Sequence, residues 1–394
     1  MVKSVVIGAS RDAIHTIKKA KEQGIYVIAL DGNPKAEGFA YADEAIEVDI
    51  SDRDKVCDII KEIAPDFTIT VPIGRYLSTT GYVNEKFGLK GIKYNATELS
   101  VDKYLFHKCL QENGLRSIGL KLVNKNTDRT ELVITYPAIM KPRFGSGSRD
   151  VFYIENDSDL EAAYRAALEI EEDFVLEEMV QGIEYGVDGA VIDGKLEITL
   201  LRKKQVTPLP VRQAIGYIAV VKKGNEIIYH RIQEKLHKAV NILGYQNCLI
   251  HVDLILQDNQ IFIIEMSPRP SGHNLHNVFV PVSTGIDLAE EYIKFMLEKE
   301  HKFLPDNICC MQIRFFDFEN VVIKGIPKEE ELRNSGRCNL VQWNCNIKIG
   351  DIMNKVVNGH SIMGRGFFIV EGDNEEDLIK QSEWILAQFK REEV

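Results

Sequence analysis

The sequence predicts an α/β domain followed by α+β domains. Strand and helix signals alternate over the first 95 residues, whereas later strand candidates follow one another directly, and strand signals dominate after Leu304-Pro305. Alternating strands and helices form βαβ units, whose parallel sheets bind ligands at the carboxyl ends of their strands. Because 394 residues exceed one ordinary core, more than one domain is expected.

The first domain, residues 1–97, is predicted to be Rossmann-like. Its strand candidates are the apolar runs at 5–7, 26–30, 45–48 and 67–71, with a charged amphipathic helix at 52–63. The turn after the first strand, Gly8-Ala-Ser-Arg-Asp12, lacks the GxGxxG pattern of dinucleotide-binding domains. Asp31 ends the second strand, where an acid commonly closes a turn. A Rossmann-like domain without a dinucleotide is therefore expected.

Helix spacing and strand runs outline the rest of the chain. Helices are predicted at 98–113, 158–171 and 230–243. Beyond a boundary near residue 303, strands are predicted at 308–318, 321–326, 340–347 and 366–370, with a closing helix at 375–391. These elements predict a small α+β cap over residues 304–394.

Charge and cysteine content exclude several classes of protein. The chain has 48 basic and 59 acidic residues and no Lys/Arg block, so no nucleic-acid partner is expected. No apolar run approaches the roughly 18 residues of a membrane span, and the N-terminus lacks the form of a signal peptide. The seven cysteines form no CxxC pair, which favours reduced thiols in a cytoplasmic protein.

The most informative segment runs from Ile261 to Gly272. Glu265 ends an apolar strand there, and Asp253 interrupts a second apolar run twelve residues upstream, beyond the tight turn at 257–260. Carboxylates on neighbouring strands can share Mg²⁺, which prefers a few carboxylate oxygens together with water and phosphate. Arg269 lies just beyond the second acid and can meet an anion. The arrangement indicates phosphoryl chemistry.

A glycine- and serine-rich loop, Phe144-Gly-Ser-Gly-Ser-Arg149, offers successive backbone N–H groups that can fold over phosphates. Lys141 lies on the strand that enters this loop. An inward-facing ammonium there needs an anionic partner. The alternative is an ordinary hairpin whose lysine extends to solvent.

Taken in order, these motifs resemble the ATP-grasp superfamily. Lys103 on a helix, Lys141 before the loop, Glu177-Glu178-x-Val180 with Glu184, and Asp253 with Glu265-x-Ser267-Pro-Arg269 match its pattern. The resemblance is greatest to carboxylate–amine ligases of the L-amino-acid (dipeptide) ligase branch. It implies two ATP-grasp subdomains, at 98–180 and 181–303, between the Rossmann-like domain and the cap.

The resemblance also implies roles for individual residues, which it assigns by position. ATP would be held by Lys103, Lys141, the loop Gly145, Ser146, Gly147 and Ser148, the adenine-facing Glu177, Glu178 and Val180, and the ribose-binding Glu184. Two Mg²⁺ ions, with Mn²⁺ as a substitute, would be held by Asp253, Glu265 and Ser267, where the family commonly has asparagine in place of this serine. Arg269, together with Lys141, would be catalytic and would stabilise the transferred phosphoryl group.

The implied reaction activates a carboxylate as an acyl phosphate and condenses it with an amine, such as an amino acid, releasing ADP and phosphate. Candidate contacts to these small-molecule substrates are Arg75, Lys204 (with Lys203 as the alternative), Arg212 and His273. His251, two residues before Asp253, favours amino-acid ligases and carboxylases over D-alanine ligases. A carboxylase-type enzyme using bicarbonate or a nucleotide intermediate, and an inactive regulatory protein, remain alternatives. The resemblance also leaves a homodimer open.

Overall fold

The N-terminal part of the chain is a parallel sheet covered by helices, as its alternating signals predict. The computed structural model describes residues 1–145, 149–170, 172–357 and 359–394. The strands, paired in the order β3-β2-β1-β4, are β1 (Lys3–Ile7), β2 (Tyr26–Asp31), β3 (Glu44–Glu47) and β4 (Phe67–Ile69). The helices are α1 (Ile14–Glu22), α2 (Arg53–Ile63), α3 (Leu77–Lys86) and α4 (Tyr94–Val101). Asp31 accepts hydrogen bonds from the backbone N–H groups of Ala9 and Asn33, so it closes the turns beside it.

The single helix predicted at 98–113 is wrong, because the chain breaks it at Asp102. There α4 ends at Val101 and α5 (Lys103–Glu112) begins. Asp102 has an extended backbone, and its carboxylate accepts a hydrogen bond from the Leu105 N–H at 3.1 Å, which is an N-cap. Arg143 holds the same carboxylate. The break puts Lys103 at the first position of α5, where its backbone N–H donates to the Arg143 carbonyl just beyond the end of β6 at 3.1 Å.

An antiparallel sheet follows, with strand order β5-β8-β6-β7. Its elements are β5 (Leu120–Val123), β6 (Ala138–Pro142), β7 (Phe152–Ile154), α6 (Asp157–Ile170) and β8 (Phe174–Glu178). One face packs its own core, which includes Met140, Leu160 and Leu176. The other face carries Lys141 and Glu177, because side chains alternate along β6 and β8.

The largest sheet has eight strands in the order β13-β12-β9-β10-β11-β14-β18-β16. The chain segment that supplies its first five strands contains the following elements: β9 (Ile183–Ile192), β10 (Lys195–Val206), β11 (Ala214–Ala219), α7 (Glu226–Leu243), β12 (Cys248–Gln257), β13 (Gln260–Ser267), α8 (Val280–Thr284) and α9 (Leu288–Met296). The remaining elements are β14 (Met311–Phe315), β15 (Val321–Gly325), α10 (Glu329–Arg333), β16 (Leu340–Cys345), β17 (Ile352–Met353), α11 (His360–Met363), β18 (Gly366–Glu371), α12 (Glu375–Ala387) and β19 (Lys390–Glu393).

The sheet continues across residue 303, because β14 pairs with β11. The C-terminal residues therefore extend the large sheet, and they also form a small sheet of β17, β15 and β19. The closing helix predicted to residue 391 ends at Ala387. Phe389 turns into an aromatic core with Phe316 and Phe318, and the chain then pairs with β15. The division at 97, 180 and 303 stays a prediction.

Candidate active site

The two acids at the centre of the predicted metal site face each other across β12 and β13. Asp253 is paired with Glu265, and His251 with Ser267, in the antiparallel register. Opposed residues of antiparallel strands share one face of the sheet. The tight turn and the two apolar runs thus bring both carboxylates and the Ser267 hydroxyl to the same side.

The same face continues over β9, β10 and β11, where register alone predicts a cluster of charged side chains. Gly186 lies opposite both Asp253 and Arg202, and Lys204 lies opposite Tyr217. The Arg202 guanidinium crosses over Gly186, where any Cβ would overlap it. Glycine is required there because the arginine passes through that space.

Asp253 lies in a strongly positive environment. Its Oδ2 is 3.6 Å from Lys204 Nζ, and its Oδ1 is 3.9 Å from Arg202 Nη1. Burial raises the pKa of its carboxyl, but Lys204, His251 and Arg202 outweigh burial and hold that pKa well below its usual range. Asp253 is therefore a carboxylate at neutral pH, as a metal ligand must be.

Arg202 is fully buried and contacts three side chains near Asp253. Its Nε donates to Asp188 Oδ2 at 2.7 Å, its Nη2 lies 3.0 Å from His251 Nδ1, and its guanidinium stacks on Tyr217 at 4.7 Å. Neither Arg202 nor Asp188 was predicted from the sequence. The signal in the sequence was an arginine directly after the apolar pair Leu200-Leu201. Its register with Gly186 is seen only in the structure.

The structure separates the two neighbouring lysines of β10. Lys204 lies on the site face between Asp253 and Glu184, with its Nζ 3.3 Å from Glu184 Oε2. Lys203 points to the opposite face and pairs with Glu375 of α12 at 2.6 Å. Alternation along a strand is the cause. Only Lys204 joins the acids.

Glu184 already has two cationic partners. Besides Lys204, Arg212 donates from its Nε to Glu184 Oε1 at 2.9 Å and also contacts that oxygen through Nη2. Arg212 lies on the connection between β10 and β11 with a left-handed φ of 46°. The predicted ribose-binding acid and the predicted substrate arginine are thus an ion pair in this structure.

Lys103 and Lys141 converge from α5 and β6. Lys103 donates from Nζ to the Gly145 carbonyl at 2.7 Å, at the start of the predicted phosphate loop. Burial lowers the pKa of the Lys103 amine to about 8, with Glu265 opposing and nearby Lys141 reinforcing the effect. The remaining predicted loop residues, Ser146, Gly147 and Ser148, lie outside the described residues.

Glu177 is buried and engaged by three side chains. Lys141 contacts its Oε1, Arg116 contacts its Oε2, and His107 Nε2 lies 3.5 Å from the same Oε2. Burial raises the pKa of Glu177, but the charges of Lys141 and Arg116 outweigh it and hold the pKa far below its usual range. The sequence analysis missed Arg116, a charged residue at the entry to β5 that had no assigned partner.

Glu178 does not share the position of Glu177. It is the next residue of β8 and lies in register with the core residue Ala138, so its side chain points to the other face of the sheet. The two carboxylates cannot contact the same edge of one ligand. Val180 is buried just beyond β8.

Arg269 and His273 lie on the turn after β13. Arg269 Nη2 is 4.0 Å from Glu265 Oε1, and its Nη1 donates to the Pro270 carbonyl at 2.9 Å. Burial lowers the pKa of His273 to about 4, with Lys204 adding to the effect, so this imidazole is neutral at pH 7. Arg75 is exposed at the N-terminal sheet, and its guanidinium lies 5.4 Å from the Phe144 ring beside the loop.

The donor set fits Mg²⁺. Asp253 Oδ1 is buried without a hydrogen-bond partner among the described residues, and the Glu265 side chain is 44% exposed. No group of three or more His, Cys, Asp or Glu residues that could hold a metal occurs in the part of the chain that the structure describes. Two carboxylates that leave room for water and phosphate suit Mg²⁺ better than a metal bound only by protein.

Comparison with known proteins decides the family of this site. Residues 134–277 match the family model described as an ATP-grasp domain, and they include Lys141, Glu177, Asp253 and Glu265. The chain contains an ATP-grasp domain. The ATP-grasp prediction and the mixed α/β fold class are therefore confirmed.

Three similar proteins illustrate the match. A D-alanine–D-alanine ligase from Campylobacter lari is 26% identical over 226 residues, 55% of this chain and 64% of that protein. The L-amino acid ligase from Bacillus licheniformis superposes with a TM-score of 0.80 at 18% identity, covering 100% of this chain and 99% of that one. The biotin carboxylase domain of the Hydrogenobacter thermophilus 2-oxoglutarate carboxylase, solved with MgADP and bicarbonate, has a TM-score of 0.68 at 18% identity, covering 100% and 91%.

These comparisons show the ATP-grasp fold, with ligases among both the sequence relatives and the structural neighbours. The match spans 64% of the D-alanine–D-alanine ligase from Campylobacter lari and 57% of the one from Campylobacter concisus, which is less than two thirds of either protein. Those relatives are D-alanine–D-alanine ligases, the branch that His251 was taken to disfavour. Among the described residues, no helix is long and apolar enough to cross a membrane.

Proposed function

We propose that this protein is an ATP-dependent ligase that converts a carboxylate into an acyl phosphate and joins it to an amine, releasing ADP and phosphate. The observation that carries the proposal is the pairing of Asp253 with Glu265 across β12 and β13, with Arg269 beside them and Lys204 opposite. The ligase activities of the D-alanine and L-amino acid relatives support the choice of reaction class.

The nucleotide would lie between the two sheets. Lys103 on α5 and Lys141 on β6 lie near each other, and their charges suit the ATP phosphates. Glu177 and the Val180 backbone would meet the adenine, and Glu184 the ribose hydroxyls. Arg212 and Lys204 form ion pairs with Glu184 in this structure. At least the Arg212 side chain would therefore have to move away before Glu184 could bind the ribose.

Asp253, Glu265 and the Ser267 hydroxyl would hold Mg²⁺, with two ions expected and Mn²⁺ as a substitute. Bound Mg²⁺ supplies charge neutralisation and orientation for the phosphates. The strand register fixes the spacing of the two carboxylates before any ligand arrives. This preorganisation lowers the cost of assembling the site.

The reacting carboxylate oxygen would attack the γ-phosphorus of ATP, and ADP would leave. Arg269 lies four residues after Glu265, on the turn that follows β13, and would stabilise negative charge on the transferred phosphoryl group. The amine would then attack the acyl carbon, and Arg269 could donate to the oxyanion that forms before phosphate leaves. Arg75 and His273 remain candidates for holding the substrate carboxylate.

A phosphate-release screen over pairs of amino acids, other carboxylates and amines, with mass detection of the product, tests the proposal. The expected result is ADP and phosphate formed in step with one condensation product. ATP hydrolysis stimulated by bicarbonate, and not by any carboxylate with an amine, would instead support the carboxylase alternative suggested by the bicarbonate-bound neighbour. No turnover with intact ATP binding would favour the inactive regulatory alternative.

A further inference from the structure

The Glu177 carboxylate has a separate cation on each oxygen. Lys141 contacts Oε1, and Arg116 contacts Oε2. His107 lies 3.5 Å from Oε2, and burial holds its pKa well below the ordinary value, so this imidazole adds no charge at neutral pH. Two cations therefore surround one buried anion.

Among the described residues, no contact other than the one with Glu177 explains the burial of Arg116. Its side chain is 2% exposed, and Glu177 is its only ion-pair partner among the described residues. Its Nε and Nη1 have no hydrogen-bond partner in that part of the chain. Burying a guanidinium for one contact is costly. A structural role alone explains this poorly, because Lys141 already neutralises Glu177.

The need for a second cation follows from the proposed function. Lys141 would also contact the ATP phosphates, and it would then neutralise Glu177 less completely. Arg116 is buried against Oε2 and would stay there. It therefore holds the carboxylate in one rotamer and as an acceptor on both oxygens.

A carboxylate that only accepts hydrogen bonds discriminates between purines. The 6-amino group of adenine donates a hydrogen bond, whereas the 6-oxo group of guanine accepts one. A fixed, ionised Glu177 attracts the first and repels the second. A carboxyl group that carried a proton, or turned away, would lose this distinction.

We propose that Arg116 is a positioning residue that fixes Glu177 as an acceptor and thereby selects adenine over guanine nucleotides. The proposal rests on the proposed function, in which Glu177 faces the adenine. Arg116 touches neither the nucleotide nor the reacting atoms. Its substitution should therefore change nucleotide affinity and choice more than the rate at saturating ATP.

The test compares ATP and GTP binding by calorimetry, and KM with kcat by phosphate release, in full-length Arg116→Gln, Arg116→Lys and Glu177→Gln variants. Arg165→Gln is the matched control, because Arg165 is an exposed arginine of the same region that pairs with Glu161 on α6. Arg116→Gln should weaken ATP binding by roughly tenfold and narrow the ATP-to-GTP ratio, as loss of a charge-assisted contact predicts. Arg116→Lys should recover part of the preference, while kcat holds.

Unchanged ATP affinity and ATP-to-GTP ratio in folded Arg116→Gln would overturn the proposal. If that variant does not fold, Arg116→Lys decides: wild-type KM for ATP and wild-type nucleotide preference would overturn it equally. The Glu177→Gln variant distinguishes failure of the Arg116 proposal from failure of the adenine subsite. Loss of ATP preference in Glu177→Gln but not at Arg116 refutes only the role of Arg116, whereas no effect of Glu177→Gln removes the adenine subsite itself.

Discussion

Glu265→Gln should separate catalysis from stability. The change keeps the shape of the side chain and removes one negative charge from the face of β13. Glu265 makes few contacts that the fold needs: its side chain is 44% exposed, and the Arg269 guanidinium lies 4.0 Å away. Its nearest strand partner is another carboxylate, that of Asp253.

The size of the stability change follows from these two contacts. Losing an exposed ion pair with Arg269 costs about 0–1 kcal/mol. Removing one of two like charges that face each other across antiparallel strands returns about 0.2–1 kcal/mol. The free energy of unfolding should therefore stay within about 1 kcal/mol of wild type, a shift in Tm of only a few degrees. Turnover should fall by at least about 100-fold, because a metal-binding carboxylate is lost.

The assay measures ADP and phosphate formation at saturating ATP and Mg²⁺, alongside thermal unfolding without ligand. The control is Glu197→Gln, the same substitution on β10 of the same sheet, seven residues before Lys204. It should match wild type in both measurements. Turnover of Glu265→Gln near the wild-type rate would refute the assignment of the metal site. A large loss of Tm would refute the reasoning about stability.

Three further predictions concern Arg269, Lys103 and Arg212. Arg269→Ala should lower kcat by about 10²–10³-fold, as loss of an oxyanion donor does, with Tm unchanged; a normal kcat in phosphate release would exclude its catalytic role. Because burial lowers the pKa of Lys103 to about 8, the amine loses its charge above that pH. ATP affinity measured by calorimetry should therefore weaken as pH rises through this value, and Lys103→Met should bind weakly without that dependence; equal pH dependence in both would contradict it. Arg212→Ala removes one of the two cations on Glu184 and leaves Lys204, so ATP should bind severalfold more tightly by the same method, whereas unchanged affinity would show that the arginine does not compete.

The pairing of Asp253 with Glu265 could be predicted because it is local. The apolar runs around Asp253 and Glu265 fix two strands, and the tight turn at 257–260 fixes their register. The N-terminal parallel sheet was likewise predictable, since alternating strand and helix signals specify it. In both cases short-range patterns determine which side chains share a face.

The parts that the sequence did not reveal depend on contacts between distant segments. His107 on α5 and Arg116 on the connection between α5 and β5 both reach Glu177 on β8, which is more than 60 residues away along the chain. The break at Asp102 depends on an N-cap that Arg143 reinforces. The continuation of the large sheet beyond residue 303 depends on the pairing of β14 with β11. Local spacing carries no signal for such pairings.

The faces on which paired residues of β8 and β10 lie follow from the sequence alone. Adjacent residues of a strand point to opposite faces. Glu177 and Glu178 could therefore not both meet one adenine edge, and Lys203 and Lys204 could not both face the acids. The structure follows that rule at both sites.

Transfer of ¹⁸O tests the central claim most directly. Once the screen identifies a substrate pair, the carboxylate is labelled in both oxygens with ¹⁸O, and the phosphate released is analysed by mass spectrometry. If the carboxylate attacks the γ-phosphorus of ATP, one labelled oxygen becomes the bridge of the acyl phosphate and leaves with the phosphate. The account predicts one ¹⁸O in each phosphate and ADP as the other product. Unlabelled phosphate, or AMP with pyrophosphate, would contradict it.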